Sequence, residues 1–246
     1  MRLLYTILAI TILTNLHGQA TAQSSDTPGQ RLANEMRQTQ LLNYDQISGA
    51  LKTKGRRGQR SSVNLTLRTA LSEDEWQSVF QAVDPSSGKT TQLTILRNPD
   101  QRPQYFIADA PKDLSTRGTE LTSAQVMTPF VGSNFWIADL GLEFFYWPQQ
   151  EILRDARIKM RKGISCYVLE SRQDDTEISG YTRVRSWISR DHGGLIYAEA
   201  YGADGKKIKT FEVSDVEKIN GEWKLKELRI RNEQARSTTN LVFNNR

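Results

Sequence analysis

Cysteine and histidine are nearly absent from this chain of 246 residues, which holds one cysteine, Cys166, and two histidines, His17 and His192. A single cysteine excludes an intramolecular disulfide framework. Two histidines leave little material for a metal centre or a histidine-based catalytic site. No run of 18 or more apolar residues occurs, so no membrane-spanning helix is expected. The charge excess is small: 33 Lys and Arg against 28 Asp and Glu give +5, too little to indicate a nucleic-acid partner. With 37% apolar and 25% charged residues, the composition is that of a soluble globular protein. Nucleophile elbows, P-loops, H-E-x-x-H and C-x-x-C motifs are all missing. His192 sits in Asp191-His192-Gly193-Gly194, a turn signal rather than a catalytic setting. Glycoside hydrolysis needs only two carboxylates, and Asp174-Asp175 and Glu73-Asp74-Glu75 supply acids, yet both runs read as polar loops. No enzyme activity and no cofactor are therefore expected.

The first 22 residues read as an export signal. Arg2 gives the positive start, Leu3 to Leu13 is largely apolar, and Ala20-Thr21-Ala22 supplies small residues for cleavage after Ala22. The apolar core is too short to span a bilayer; a buried N-terminal helix is the alternative. No cysteine stands at the cleavage point to carry a lipid. Removal of this segment takes away Arg2 and His17 and lowers the net charge from +5 to +4. Cys166, inside the apolar run Ile164 to Leu169, reads as a buried, inert thiol of a strand.

Residues 23–28 are polar and read as disordered, and 29–246 as one domain. Leu32, Ala33, Met36 and Leu41 or Leu42 fall near helical spacing, which predicts an amphipathic helix from Gly29 to Leu42. Lys52 to Arg60, with five basic residues and two glycines, reads as a solvated hairpin end. From Ser61 the period changes to two. Strands are expected from Ser61 through Leu67, at Trp76 to Val83, Gln92 to Arg97, Gln104 to Asp109, Ile164 to Ser171, Tyr181 to Ser189, Leu195 to Tyr201, Lys206 to Val213, Glu222 to Asn232 and Ser237 to Phe243. Asp191-His192-Gly193-Gly194, Ala203-Asp204-Gly205 and Asn220-Gly221 supply hairpin turns. About ten strands joined by short links predict an antiparallel meander, and a sheet of that size curls or closes. Asn64-Leu65-Thr66 matches a glycosylation sequon but lies within a strand. Pro111 to Gln125 is a long polar loop.

The segment from Phe130 to Trp147 is the most distinctive. It holds seven of the twenty aromatics that follow the export signal. Ser133 suits a helix N-cap and Pro148 a helix end. On one continuous helix, Trp136, Ile137, Leu140, Phe144 and Trp147 cover one face and Phe135, Leu142, Phe145 and Tyr146 the other. Only Asp139 and Glu143 form a polar strip. Such a helix must be covered on more than one side. Ordinary core packing meets that need, as does a partner or an apolar ligand. A helix from Asn134 to Gly141 followed by a strand at Leu142 to Trp147 is the alternative.

Several short motifs in a fixed order carry a resemblance: Gly132-Ser133-Asn134-Phe135, Leu142 to Pro148, Gly163 to Glu170, Trp187-Ile188-Ser189, Gly194 to Tyr201, Asp204-Gly205-Lys206 and Gly221-Glu222-Trp223. From about Gly29 to Phe243 the chain resembles the outer-membrane lipoprotein-sorting proteins, the LolA/LolB-like periplasmic carriers, and in particular their less characterised sorting branch. The resemblance implies a mainly β (α+β) fold, an incomplete antiparallel β-barrel with helices covering its opening. It also implies a periplasmic protein that shields the acyl chains of a lipoprotein or lipid in an apolar cavity, with membrane-bound donor and acceptor proteins as possible partners. Carried onto this chain, the lid would be Ser133 to Trp147, with Trp136, Leu140, Phe144 and Trp147 facing the cavity and Phe80, Phe106 and Phe130 on the sheet side. The competing reading is a periplasmic β-barrel binding or assembly module that meets a protein partner through its apolar helix.

Overall fold

The computed structural model describes residues 26–39, 45–71, 75–113, 115–154, 160–174, 180–219 and 222–244, with the backbone alone at 222 and 223. The expected export signal, the acids Glu73, Asp74 and Asp175, and the Asn220-Gly221 turn lie outside them. The chain opens with helix α1, Pro28–Gln38. Its start is set locally: Thr27 and Gln30 form a reciprocal capping box, and Pro28 stands where a missing N–H costs nothing. Leu32, Ala33 and Met36 are its buried stripe.

Strands β1 (Ile47–Lys54), β2 (Arg60–Leu71), β3 (Trp76–Val83), β4 (Thr90–Asn98), β5 (Gln101–Asp109) and β6 (Thr119–Glu120) follow as a meander. After the helical segment come β7 (Gln149–Ile152), β8 (Met160–Arg161), β9 (Ile164–Arg172), β10 (Tyr181–Ser189), β11 (Leu195–Gly202), β12 (Lys207–Ile219), β13 (Glu222–Asn232) and β14 (Ser237–Phe243). They form one antiparallel sheet in the order β6-β5-β4-β3-β2-β1-β14-β13-β12-β11-β10-β9-β7, with β8 on β9. The sheet is not closed into a barrel. The described residues hold fourteen strands rather than about ten. The additions are β1 and three short pieces of two to four residues. The short pieces give too few alternations to read, and the glycine and lysines of β1 mask its period. The basic run 52–60 does end in a hairpin, closed by Gly55 N–H donating to Gln59 O at 2.8 Å.

The open sheet is strongly curled. Thirteen strands at about 4.8 Å spacing would span roughly 58 Å if flat, whereas an eleven-residue helix is about 16 Å long. Yet α1 touches both sides. Gly29 lies so close to the Gln150 carbonyl of β7 that any Cβ would collide with it. Arg37 donates from Nη1 to Pro99 O in the β4–β5 turn at 3.3 Å. One short helix thus bridges the β7 edge and the β4–β5 turn near the opposite edge, and covers β7, which would otherwise offer unpaired backbone.

Topology then dictates the cover. The chain leaves the sheet at one edge, β6, and re-enters at the other, β7. Residues 121–148 must cross the whole open side. They hold helices α2 (Ser123–Val126) and α3 (Ile137–Gly141) and 3-10 turns at Phe130–Gly132 and Glu143–Tyr146. The single long helix and the helix–strand alternative are both replaced by this broken run. Leu142 is the cause: it takes a left-handed conformation, φ 52°, and its N–H turns back onto Ala138 and Asp139 O, ending α3. Gly141 before it packs against the Tyr105 ring so closely that a Cβ would overlap the hydroxyl.

One hydrophobic cluster fills the space between crossing segment and sheet, with members from β1 to β5, β9 to β14, α1 and α3. A second, smaller one lies elsewhere: Cys166, Val168, Trp187 and Tyr197, from β9, β10 and β11. Glu170 lies between the guanidinium groups of Arg172 and Arg185.

Candidate functional site

The crossing segment, residues 123–147, which contains the expected lid Ser133 to Trp147, is held to the sheet by side chains rather than by a strand ladder among the described residues. Its own fold is stabilised by an isolated bridge between Pro129 and Trp136. Three polar anchors tie it down. At the first, Asn134 donates from its backbone N–H (2.9 Å) and its Nδ2 (3.1 Å) to Thr239 Oγ1 of β14, while Ser237 Oγ donates to Asn134 Oδ1 at 2.8 Å. The motif Gly132 to Phe135 is thus the point where the lid docks on the middle of the sheet.

The second anchor is ionic and buried. Asp139 of α3 accepts from Tyr181 OH at 2.7 Å, from Lys209 Nζ at 2.9 Å and from Trp136 N–H at 2.7 Å. The Lys209 ammonium also lies 3.5 Å from the centroid of the Trp136 ring, which itself stacks on Tyr181 at 5.3 Å. Burial pushes Lys209 down to about 8, with Asp139 holding it up in part. Burial and the Asp139 carboxylate push Tyr181 well above the usual phenol range. A buried pair is weak evidence of net stability, but removing one partner strands the other. Its effect is to fix where α3 sits.

The third anchor is less complete. The buried carboxyl of Glu143 stands beside Tyr105 without full hydrogen-bond geometry, and both Glu143 Oε2 and Tyr105 OH lack a partner. Burial pushes the Glu143 carboxyl up. Gln150 closes the lid's end, donating to Phe144 O at 3.0 Å and Trp147 O at 2.9 Å.

The residues singled out from the sequence fall as follows. Phe80, Phe130, Leu140, Phe144 and Trp147 belong to the main cluster, and the partly buried Trp136 packs against it. Leu140 and Phe144 line small spaces left between lid and sheet. Phe106 differs. It is buried, but it stands outside that cluster, and the Arg117 guanidinium covers its ring at 5.1 Å. The inward residue of β5 is its neighbour Tyr105, because successive side chains point to opposite faces. The sequence pattern does not single out Lys209, Tyr181 or Arg97 as site residues. Lys209 shares strand parity with the buried Phe211, a readable signal. Tyr181 is displaced by a bulge between it and Arg183, which no sequence period reveals.

The lid is shut. The space beneath Leu140 amounts to about 20 Å³ and that beneath Phe144 to about 10 Å³. A cavity of about 150 Å³ is of the size that takes a benzene ring, so neither holds an acyl chain as they stand. Among the described residues no three His, Cys, Asp or Glu side chains cluster to hold a metal, and no helix is long and apolar enough to cross a membrane.

Comparison with solved structures finds the same fold. A DUF1329 family protein from Desulfovibrio piger ATCC 29098 aligns with a TM-score of 0.68 at 17% identity, over 88% of this chain and 90% of that one. A putative outer membrane lipoprotein-sorting protein domain from Vibrio parahaemolyticus gives 0.67 at 19%, over 88% and 90%. A LolA superfamily protein from Nitrosomonas europaea gives 0.61 at 16%, over 89% and 93%. No curated protein matches the chain. A family model described as "Uncharacterized protein" matches residues 85–246, which include the lid and every strand from β4 to β14. The chain belongs to the family of that model, and its fold is that of the lipoprotein-sorting and LolA superfamily structures.

Proposed function

We propose that this protein is a non-enzymatic periplasmic carrier that shields the acyl chains of a lipoprotein or lipid between lid and sheet. One observation carries the reading: an aromatic lid lies across the apolar side of an open sheet, tied by a few polar anchors and by no strand pairing. Such a cover can be lifted without unfolding the sheet. The solved lipoprotein-sorting and LolA superfamily structures of the same fold support it.

The energetics are adequate. A buried methylene gains about 0.8 kcal/mol, so a chain of about 14 gains roughly 11 kcal/mol gross. Loading must first separate the lid from the sheet, so part of that gain is spent replacing Leu140, Phe144 and Trp147 contacts with cargo. Because the cargo refills the same apolar surface, what opening costs in net is the polar anchors at Asn134 and Asp139. Release then needs only a competing apolar acceptor.

Native mass spectrometry of the mature protein from a lipid-containing host, with lipid extraction, tests this. The expected result is a stoichiometric acylated species that is lost on denaturation. Trp136→Asp and Phe144→Asp should abolish uptake in a protein that keeps its strand content. A mass that stays free of lipid after incubation with lipoprotein and phospholipid would overturn the carrier. It would favour the second reading, a binding or assembly module that offers its lid segment to a protein partner.

A further inference from the structure

We propose that Arg97 is the anion-binding end of the space beneath the lid, so that the cargo is an amphiphile whose chain begins beside a carboxylate or phosphate. The inference rests on the carrier reading and adds the chemistry of the cargo's head.

Arg97 stands near the end of β4, on the same face as the core residues Leu93 and Ile95. It is 7% exposed. Among the described residues no carboxylate pairs with it, and its buried Nε has no acceptor. Its guanidinium lies 5.6 Å from the Trp76 ring centroid, which orients the fork without neutralising it. A further donor nearby, the hydroxyl of Tyr146, is also buried without a partner among the described residues. Arg97 and Ser78 make one polar end of a space whose walls include Leu140, Leu142, Leu225 and Leu228.

Among the described residues neither Asp139 nor Glu143 makes an ion pair with Arg97. Asp139 lines this space too, but both its oxygens accept from Tyr181, Lys209 and the Trp136 N–H. Glu143 faces Tyr105, whose hydroxyl, with the Arg102 charge, holds its carboxyl down in part against burial. Arg37 lies over the Tyr146 ring at 4.9 Å and adds a second positive charge. A buried guanidinium without a counter-ion is costly to stability. Arginine's planar fork matches carboxylate and phosphate. Proteins keep such groups where a ligand completes them, at the expense of stability.

The test titrates the mature protein with three probes: oleate, oleyl alcohol of the same chain, and inorganic phosphate. Wild type should bind oleate at least tenfold tighter than the alcohol, and Arg97→Met should bring oleate down to the alcohol's affinity. Arg97→Lys should keep part of the preference, which guards against a loss of fold in the methionine variant. Equal binding of oleate and alcohol by wild type overturns the anion end and leaves the carrier standing. A preference that survives in Arg97→Met overturns the assignment to Arg97. Phosphate binding that depends on Arg97, with neither chain bound, overturns the amphiphile and the carrier and makes a free anion the ligand. Binding of none of the three overturns both readings.

Discussion

The Asp139–Lys209 pair makes a prediction with an unusual sign. Lys209 is 1% exposed, and burial pushes its ammonium from 10.5 to about 8 against the pull of Asp139. A displacement of that size corresponds to about 3 kcal/mol. Between these two values the unfolded chain holds a proton that the folded chain has released. Stability conferred through Lys209 therefore rises with pH, by about 2 kcal/mol from neutrality to about pH 9.5. The buried thiol of Cys166 and the hydroxyls of Tyr181 and Tyr105 act oppositely: burial pushes all three up, so the unfolded chain ionises first and stability falls. Asp139 also raises Tyr181, so a difference measurement isolates the lysine up to about pH 9.5, below the ordinary phenol range. Urea denaturation of wild type and of the double variant Asp139→Asn with Lys209→Met, from pH 7 upward, should show wild type gaining on the double variant by about that amount. The amide oxygen that Asp139→Asn leaves in place still accepts from Tyr181 or the Trp136 N–H, so α3 keeps its position. Lys209→Met alone strands the Asp139 carboxylate and should lose about 3–5 kcal/mol at pH 7. Parallel curves for wild type and double variant, or a single-variant loss below about 1 kcal/mol, would refute the buried pair as the lid's main anchor.

Three other changes probe the lid and the sheet. Gly141→Ala drives a Cβ into the Tyr105 ring and should destabilise by about 1–3 kcal/mol, with partial recovery when Tyr105→Phe removes the hydroxyl; both are read from denaturation midpoints. Glu143→Gln should stabilise the protein at pH 7, because burial raises this carboxyl and its favourable contribution is lost as pH climbs through the folded value; in acid the gain should vanish. Leu169→Ala should cost about 2–5 kcal/mol, since its side chain is fully buried in the main cluster.

Much of the strand order was legible because alternation is a local signal. Val63, Leu65 and Leu67 announce β2, and the turn at Asp204-Gly205 announces the β11–β12 hairpin. β1 was not legible: Gly49, Lys52 and Lys54 obscure its period, and it is defined by pairing with β2 and with β14 from the far end of the chain. The aromatic segment was recognisable as a cover needing burial on both sides. Its break at Leu142 was not, because a left-handed leucine has no local signature, and the packing of Gly141 on Tyr105 beside it is a contact between distant residues. Phe106 illustrates a different failure. Hydrophobicity marks a residue for burial but does not say on which face, and a displacement of one position reverses the face.

The sequence by itself determined the mainly β character of this protein, its lack of catalytic and metal-binding motifs, and the aromatic run that becomes the lid. Those features depend on composition and on periods of two or 3.6 residues, which neighbouring side chains alone express. Tertiary structure alone decided that the sheet stays open, that residues 121–148 must cross from one of its edges to the other, and that Lys209 lands beneath Asp139. It also left Arg97 buried, its Nε without an acceptor among the described residues. Each of these depends on strands far apart in the chain meeting in one register, and no local pattern carries that information.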